Sequence, residues 1–79
     1  MSEDEKIRIL TAIQDIENKI NNYDRISAIE LIKKVRFEHP GKEQIAYVSN
    51  NVPLDVATDE MIIKTLKAEE TRLVLKLNG

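Results

Sequence analysis

Apolar residues recur at helical spacing along the first part of the chain. Intervals of four, three and four residues separate the main members of this pattern and place them on one face of an α-helix. Ser2 is followed three residues later by Glu5, which matches a capping box. The pattern predicts an amphipathic helix over residues 3–22. The aliphatic seam of this helix consists of Ile9, Ile13, Ile16 and Ile20.

Two further apolar residues, Ile7 and Leu10, lie beside this seam. Isoleucine at both seam positions is typical of coiled coils, but the stripe is shorter than the roughly three or four heptads that a coiled coil requires. We therefore expect the seam to pack on the domain's own sheet, while the remaining apolar side can contact a partner. The candidate partner-binding residues are Ile7, Ile9, Leu10, Ile13, Ile16 and Ile20.

Residues 26–34 fit two patterns. Ser27 and Glu30 form a second match to the capping box. A helix here would place four apolar residues on one face, namely Ala28, Leu31, Ile32 and Val35. A strand would instead explain the alternation of Ile29, Leu31, Val35 and Phe37. The helix is the slightly favoured interpretation, and the strand stays open.

A β-hairpin is predicted around the sequence His39-Pro40-Gly41-Lys42. Proline presets the first central angle of a type II turn, and glycine accepts the positive second one. The two strands are expected at residues 35–38 and 44–48. Their pairing would place four side chains on one sheet face, namely Val35, Phe37, Ile45 and Tyr47.

The last third of the chain predicts a helix and then a strand. Thr58 is a suitable helix cap, and the helix it starts is expected to reach Glu70. Leucines alternate with other residues over 73–77, which indicates a strand. An isolated hairpin is only marginally stable, so this strand is expected to complete a three-stranded sheet with the helices on one face. The prediction is one small α+β domain covering residues 1–79.

The composition removes several kinds of chemistry. The 79 residues include no cysteine and one histidine, His39, so the ligands of a zinc or iron site are lacking. No serine lies in a Gly-x-Ser-x-Gly elbow, and two glycines cannot form a glycine-rich phosphate loop. Acidic pairs such as Glu69 and Glu70 are expected to be capping or solvated residues. We therefore predict a non-enzymatic protein with no catalytic residue, metal, cofactor or small-molecule substrate.

A group of basic residues surrounds the predicted hairpin. Two-stranded ribbons can contact phosphates and enter nucleic-acid grooves. The net charge of −2 and an aromatic content of 4% argue against this use, because they leave no surplus positive charge and few rings for stacking bases. Nucleic-acid binding is therefore the alternative function. Its candidate residues are Lys33, Lys34, Arg36 and Lys42.

The leading functional hypothesis is contact with another protein, as a homodimer, a regulatory subunit or an inhibitor of a larger enzyme. It rests on the wide apolar surface of the first helix and on an open sheet edge, in a chain with room for one core. The N-terminal residues lack the basic and apolar regions of a signal peptide, and no apolar run approaches the ~18 residues of a membrane span. A cytoplasmic location without membrane contact is expected.

Overall fold

The computed structural model describes residues 1–39 and 52–79. These residues form three α-helices, Glu3–Asn21 (α1), Arg25–Glu38 (α2) and Asp59–Asn78 (α3), and a short 3-10 helix, Leu54–Val56, that precedes α3. No strand occurs within the two described ranges. The predicted α+β fold with a three-stranded sheet is therefore wrong, and the protein is a small helical bundle.

Helix α1 begins and ends almost where the sequence predicts. The Ser2 side chain accepts a hydrogen bond from the Glu5 amide over 3.2 Å, as the capping box requires. The helix ends at Asn21, and the backbone amide of Asn22 closes it by donating to the carbonyl of Asn18. Local capping and the hydrophobic pattern agree along this stretch, which is why its bounds could be predicted.

Helix α2 replaces both the ambiguous segment and the first predicted hairpin strand. Asp24 caps it, with its carboxylate accepting from the Ser27 amide over 3.0 Å. Val35 is buried whereas Phe37 is 87% exposed. Strand pairing on one face would bury both residues, so their opposite environments exclude the predicted strand at 35–38. The Pro40-Gly41 turn and the second strand at 44–48 lie outside the described residues.

Helix α3 continues through the predicted C-terminal strand. Thr58 caps it as expected, accepting from the Met61 amide over 3.2 Å. No glycine or proline follows before Gly79, so nothing interrupts the helical hydrogen bonds at Glu70. Leu73 is buried and Leu75 is exposed, as a helix requires and a strand with both leucines on one face would not. The strand over 73–77 is a wrong prediction.

Side-chain contacts at both ends of the bundle define the helix directions. At one end, the Tyr23 hydroxyl donates to the Asp59 carboxylate over 2.7 Å, which joins the α1–α2 turn to the start of α3. At the other end, Arg72 of α3 donates to the carbonyl of His39, directly after α2. Helices α2 and α3 are therefore parallel, α1 is antiparallel to both, and α3 contacts both other helices.

The core between the helices is aliphatic. Each helix contributes apolar residues from one face, and the residues around the 3-10 helix contribute two more. Within the described ranges, none of the helices is both long and apolar enough to cross a membrane. The buried apolar residues are Ile9, Ala12, Ile13, Ile16, Ala28, Ile32, Val35, Leu54, Ala57, Ile62, Leu66 and Leu73.

Candidate functional site

The partner-binding residues predicted on α1 separate into two groups. Ile9, Ile13 and Ile16 are buried in the protein's own core, and Ile20 packs against it partly buried. Ile7 and Leu10 remain 57% and 48% exposed. The seam therefore stabilises the bundle, and only the two flanking residues are free to form a surface.

A shallow groove between α1 and α2 begins at Ile7. Its volume is about 150 Å³. Ile7 and Ala12 contribute apolar surface from α1, and Leu31 and Val35 contribute it from α2. Charged side chains of both signs stand along the two edges, so the groove combines an apolar floor with a polar rim. Its lining residues are Ile7, Arg8, Thr11, Ala12, Asp15, Leu31, Lys34, Val35 and Glu38.

The basic residues of the nucleic-acid alternative do not form a common surface in the described structure. Arg36 is only 8% exposed and faces α3. The Lys33 ammonium group lies 3.5 Å from the Asp55 carboxylate, and Lys34 lines the α1–α2 groove. Lys42 lies outside the described residues. Lys33, Lys34 and Arg36 belong to a helix and not to a hairpin ribbon, and nucleic-acid binding stays a prediction.

A buried ionic cluster joins α2 to α3. Arg36 Nε donates to Glu69 Oε1 over 2.6 Å, and Arg72 Nε donates to Glu69 Oε2 over 2.7 Å. Glu69 is 5% exposed, so the prediction that it is a capping or solvated residue is wrong. Arg72 also donates to the His39 carbonyl at the C-terminal end of α2, where the helix dipole favours a cation. The Glu69 carboxylate thus binds both arginines, and Arg72 also binds the C-terminal end of α2.

Sequence reasoning missed this cluster, although one signal could have indicated it. Ile62, Leu66, Glu69 and Leu73 follow each other at intervals of four, three and four, so Glu69 occupies a core position of α3. An acidic residue at a core position is buried only with a partner. The identity of that partner depends on the packing of α2 against α3.

His39 lies at the same end of the bundle and is 3% exposed. Burial lowers its pKa below the ordinary value of 6.5, and the charges of Lys76 and Arg72 lower it further, against the opposing effect of Glu38 and Glu5. Its Nε2 atom has no hydrogen-bond partner among the described residues. A neutral imidazole is the form that this environment favours.

The hydrogen-bonded side chains at the other end of the bundle hold its turns together. Ser27 accepts from Lys19 Nζ over 2.8 Å, but its own hydroxyl donates to Asp24 over 2.7 Å as part of the α2 cap. Burial, together with the hydrogen bond to Asp59, raises the pKa of Tyr23 to about 12. The Tyr23 hydroxyl and the Ser27 hydroxyl are thus committed to structural contacts instead of being poised for proton transfer or attack.

No group of three or more His, Cys, Asp or Glu side chains in the described ranges is placed to hold a metal ion. Comparison with protein-family models, with curated proteins and with solved structures finds no match for this chain. In the described structure, the α1–α2 groove, with Ile7 in its lining, is an apolar surface with charged edges.

Proposed function

We propose that this chain is a small non-enzymatic binding protein that acts through contact with another protein. The observation that carries the proposal is the division of α1, whose seam is buried while Ile7 and Leu10 stay about half exposed and Ile7 lines an apolar groove. An apolar surface with a charged rim is typical of the centre and margin of a protein interface. The partner can be a larger protein for which this chain acts as a regulatory subunit or inhibitor.

The dimensions of the groove support a protein partner over a small molecule. Pockets for drug-sized ligands usually hold about 300 to 1,000 Å³, and this groove holds about 150 Å³. That volume suits individual aliphatic side chains of a partner. An amphipathic helix could insert such side chains between α1 and α2 while its charged residues meet Arg8, Asp15, Lys34 and Glu38. A cytoplasmic site of action belongs to the same proposal.

Binding experiments with matched variants test this function. The protein is immobilised and exposed to an extract of its source cells, and retained proteins are then titrated individually by calorimetry. Replacing Ile7 and Leu10 by serine should abolish binding, because the exposed apolar surface of α1 is lost while the buried seam stays intact. Leu75→Ser is the matched control, since Leu75 is 66% exposed on another helix and its loss should leave binding unchanged.

Two results would count against the proposal. One is that no protein binds at all, and the other is that the Ile7→Ser/Leu10→Ser variant binds as well as the unmodified chain. Circular dichroism of every variant shows whether the helical content is intact, so a loss of binding cannot be confused with unfolding.

A further inference from the structure

The outer face of α2 carries four exposed side chains in one stripe. They follow each other at intervals of four, three and four, which places them on one face of a helix. This stripe lies opposite the buried face that contains Ala28, Ile32 and Val35. Its apolar ends are the two most exposed large hydrophobic residues of α2, at 71% and 87%. We call it the α2 stripe, and it consists of Ile26, Glu30, Lys33 and Phe37.

The side chains of the α2 stripe are complementary to those of a second α2 stripe that runs in the opposite direction. Its order is apolar, acidic, basic, apolar, so a second α2 running in the opposite direction presents an apolar residue to each apolar residue and a base to the acid. Ile26 would face the second copy's Phe37, and Glu30 would face the second copy's Lys33. Each contact occurs twice, as a two-fold interface between identical chains requires.

We propose that the α2 stripe is a self-association surface, on which two copies of this chain pair their α2 helices antiparallel across a two-fold axis. Removal of Ile26 and Phe37 from water supplies the attraction. The Glu30 and Lys33 pairs set the orientation, because rim charges contribute more to specificity than to affinity. A parallel pairing would oppose Glu30 to Glu30 and Lys33 to Lys33, and like charges disfavour it.

The neighbouring 3-10 helix adds to the same surface. The Asp55 carboxylate lies 3.5 Å from Lys33 Nζ, which places this short helix at the edge of the α2 stripe. Val56, the next residue, is also exposed, at 71%. The stripe itself is about 16 Å long, at roughly 1.5 Å per residue. An interface built on one such helix is smaller than about 1,200 Å² and forms a weak, concentration-dependent dimer.

The α2 stripe and the α1–α2 groove are separate surfaces of the bundle. The groove proposed for another protein lies between α1 and α2, and Lys34 and Glu38 form its α2 edge. The α2 stripe lies on the other side of that edge. Two copies can therefore pair through their stripes while both grooves remain open.

Exchanging the charges of Glu30 and Lys33 tests the antiparallel pairing most directly. Sedimentation equilibrium over a wide concentration range should show a monomer–dimer equilibrium for the unmodified chain. Glu30→Lys alone and Lys33→Glu alone should each weaken dimerisation at least tenfold, because each creates two like-charge contacts. An equimolar mixture of these two variants should dimerise again, because every contact between the unlike chains joins a base to an acid.

Two control variants accompany the charge exchange. Asp55→Asn removes the contact of Lys33 within the chain and should leave dimerisation undiminished. Leu75→Ser removes an equally exposed apolar residue away from the α2 stripe and should also have no effect. A monomer at every concentration overturns the proposal. The proposal is also overturned if the two charge variants and their mixture all dimerise equally well.

Crosslinking tests the direction of the helices independently. The chain has no cysteine, so single introduced thiols report only on the chosen positions. With dissolved oxygen as the oxidant, Ile26→Cys mixed with Phe37→Cys should form a disulfide between unlike chains much faster than either variant forms one with itself. Faster crosslinking between identical positions would indicate a parallel pairing and overturn the proposed arrangement.

Discussion

Two neighbouring glutamates on α3 face different helices of the bundle. Glu69 is directed to α2, where Arg36 and Arg72 donate to its two carboxylate oxygens and the side chain is buried. Glu70 is directed to α1, where its carboxyl group lies close to that of Glu17. Burial and then the contact with Glu17 raise the pKa of Glu70, whereas Glu69 is held between two cations.

The difference shows that the two sides of α3 are joined to their neighbours by different means. Successive residues on a helix are about 100° apart, so a single step along α3 changes the neighbouring helix. On the α2 side, the buried Glu69 carboxylate is stabilised by ion pairs with Arg36 and Arg72. The α1 side is an aliphatic seam with a pair of like charges at its margin. Composition alone would describe both residues as surface glutamates.

The largest effect is expected on the α2 side. Glu69→Gln should lower the free energy of unfolding by about 3 to 5 kcal/mol, because the buried Arg36 and the partly buried Arg72 lose the carboxylate that both of them contact. Urea unfolding followed by circular dichroism measures the change. A loss below about 1 kcal/mol would show that the cluster is not a structural requirement and would remove the contrast between the two sides.

The aliphatic seam should respond nearly as strongly. Ile16→Ala deletes a fully buried side chain between α1 and α3 and should cost about 2 to 5 kcal/mol, through lost burial and the cavity left behind. Ile7→Ala is the matched control in the same helix and should change stability by less than about 0.5 kcal/mol, since Ile7 is mostly exposed. Equal losses at the two positions would contradict the division of α1 into a core side and a free side.

The success of the sequence prediction varied along the chain for physical reasons. At α1 the cap, the seam and the asparagines at the end all favour the same helix, so its bounds were confirmed. Over 35–38 and 73–77, alternating apolar residues suggested strands. In both places a helix with no breaker continues, and the alternation separates a buried residue from an exposed one.

The ionic cluster shows a further limit of sequence reasoning. Arg36 was predicted to belong to a basic surface because lysines surround it, but it is buried through a contact with Glu69, 33 residues further along the chain. No local pattern specifies such a pair. Ile7 and Leu10, by contrast, were predicted to lie beside the seam, and their exposure follows directly from helical geometry.

Acid should weaken the end of the bundle near the ionic cluster through His39. The pKa of His39 is lowered in the folded state, so the unfolded chain binds a proton more readily. The contribution of His39 to stability is therefore complete above its ordinary pKa of 6.5 and is lost as the pH falls from there toward the lowered pKa. Urea unfolding at a series of pH values should show this slope. His39→Gln should remove it, and an unchanged slope in that variant would assign it to other groups.

The smallest effect is expected at Glu70, and it has the opposite sign. Because the pKa of Glu70 is raised, the folded state binds its proton more readily than the unfolded chain, and stability rises as the pH falls through the raised pKa toward 4.5. Glu70→Gln at neutral pH should therefore stabilise the protein by a fraction of a kcal/mol, since water screens this partly exposed pair. The same chemical change is destabilising at Glu69. If both substitutions destabilised the bundle, the contact between Glu17 and Glu70 would not be unfavourable. The two sides of α3 would then respond in the same way to the loss of a charge.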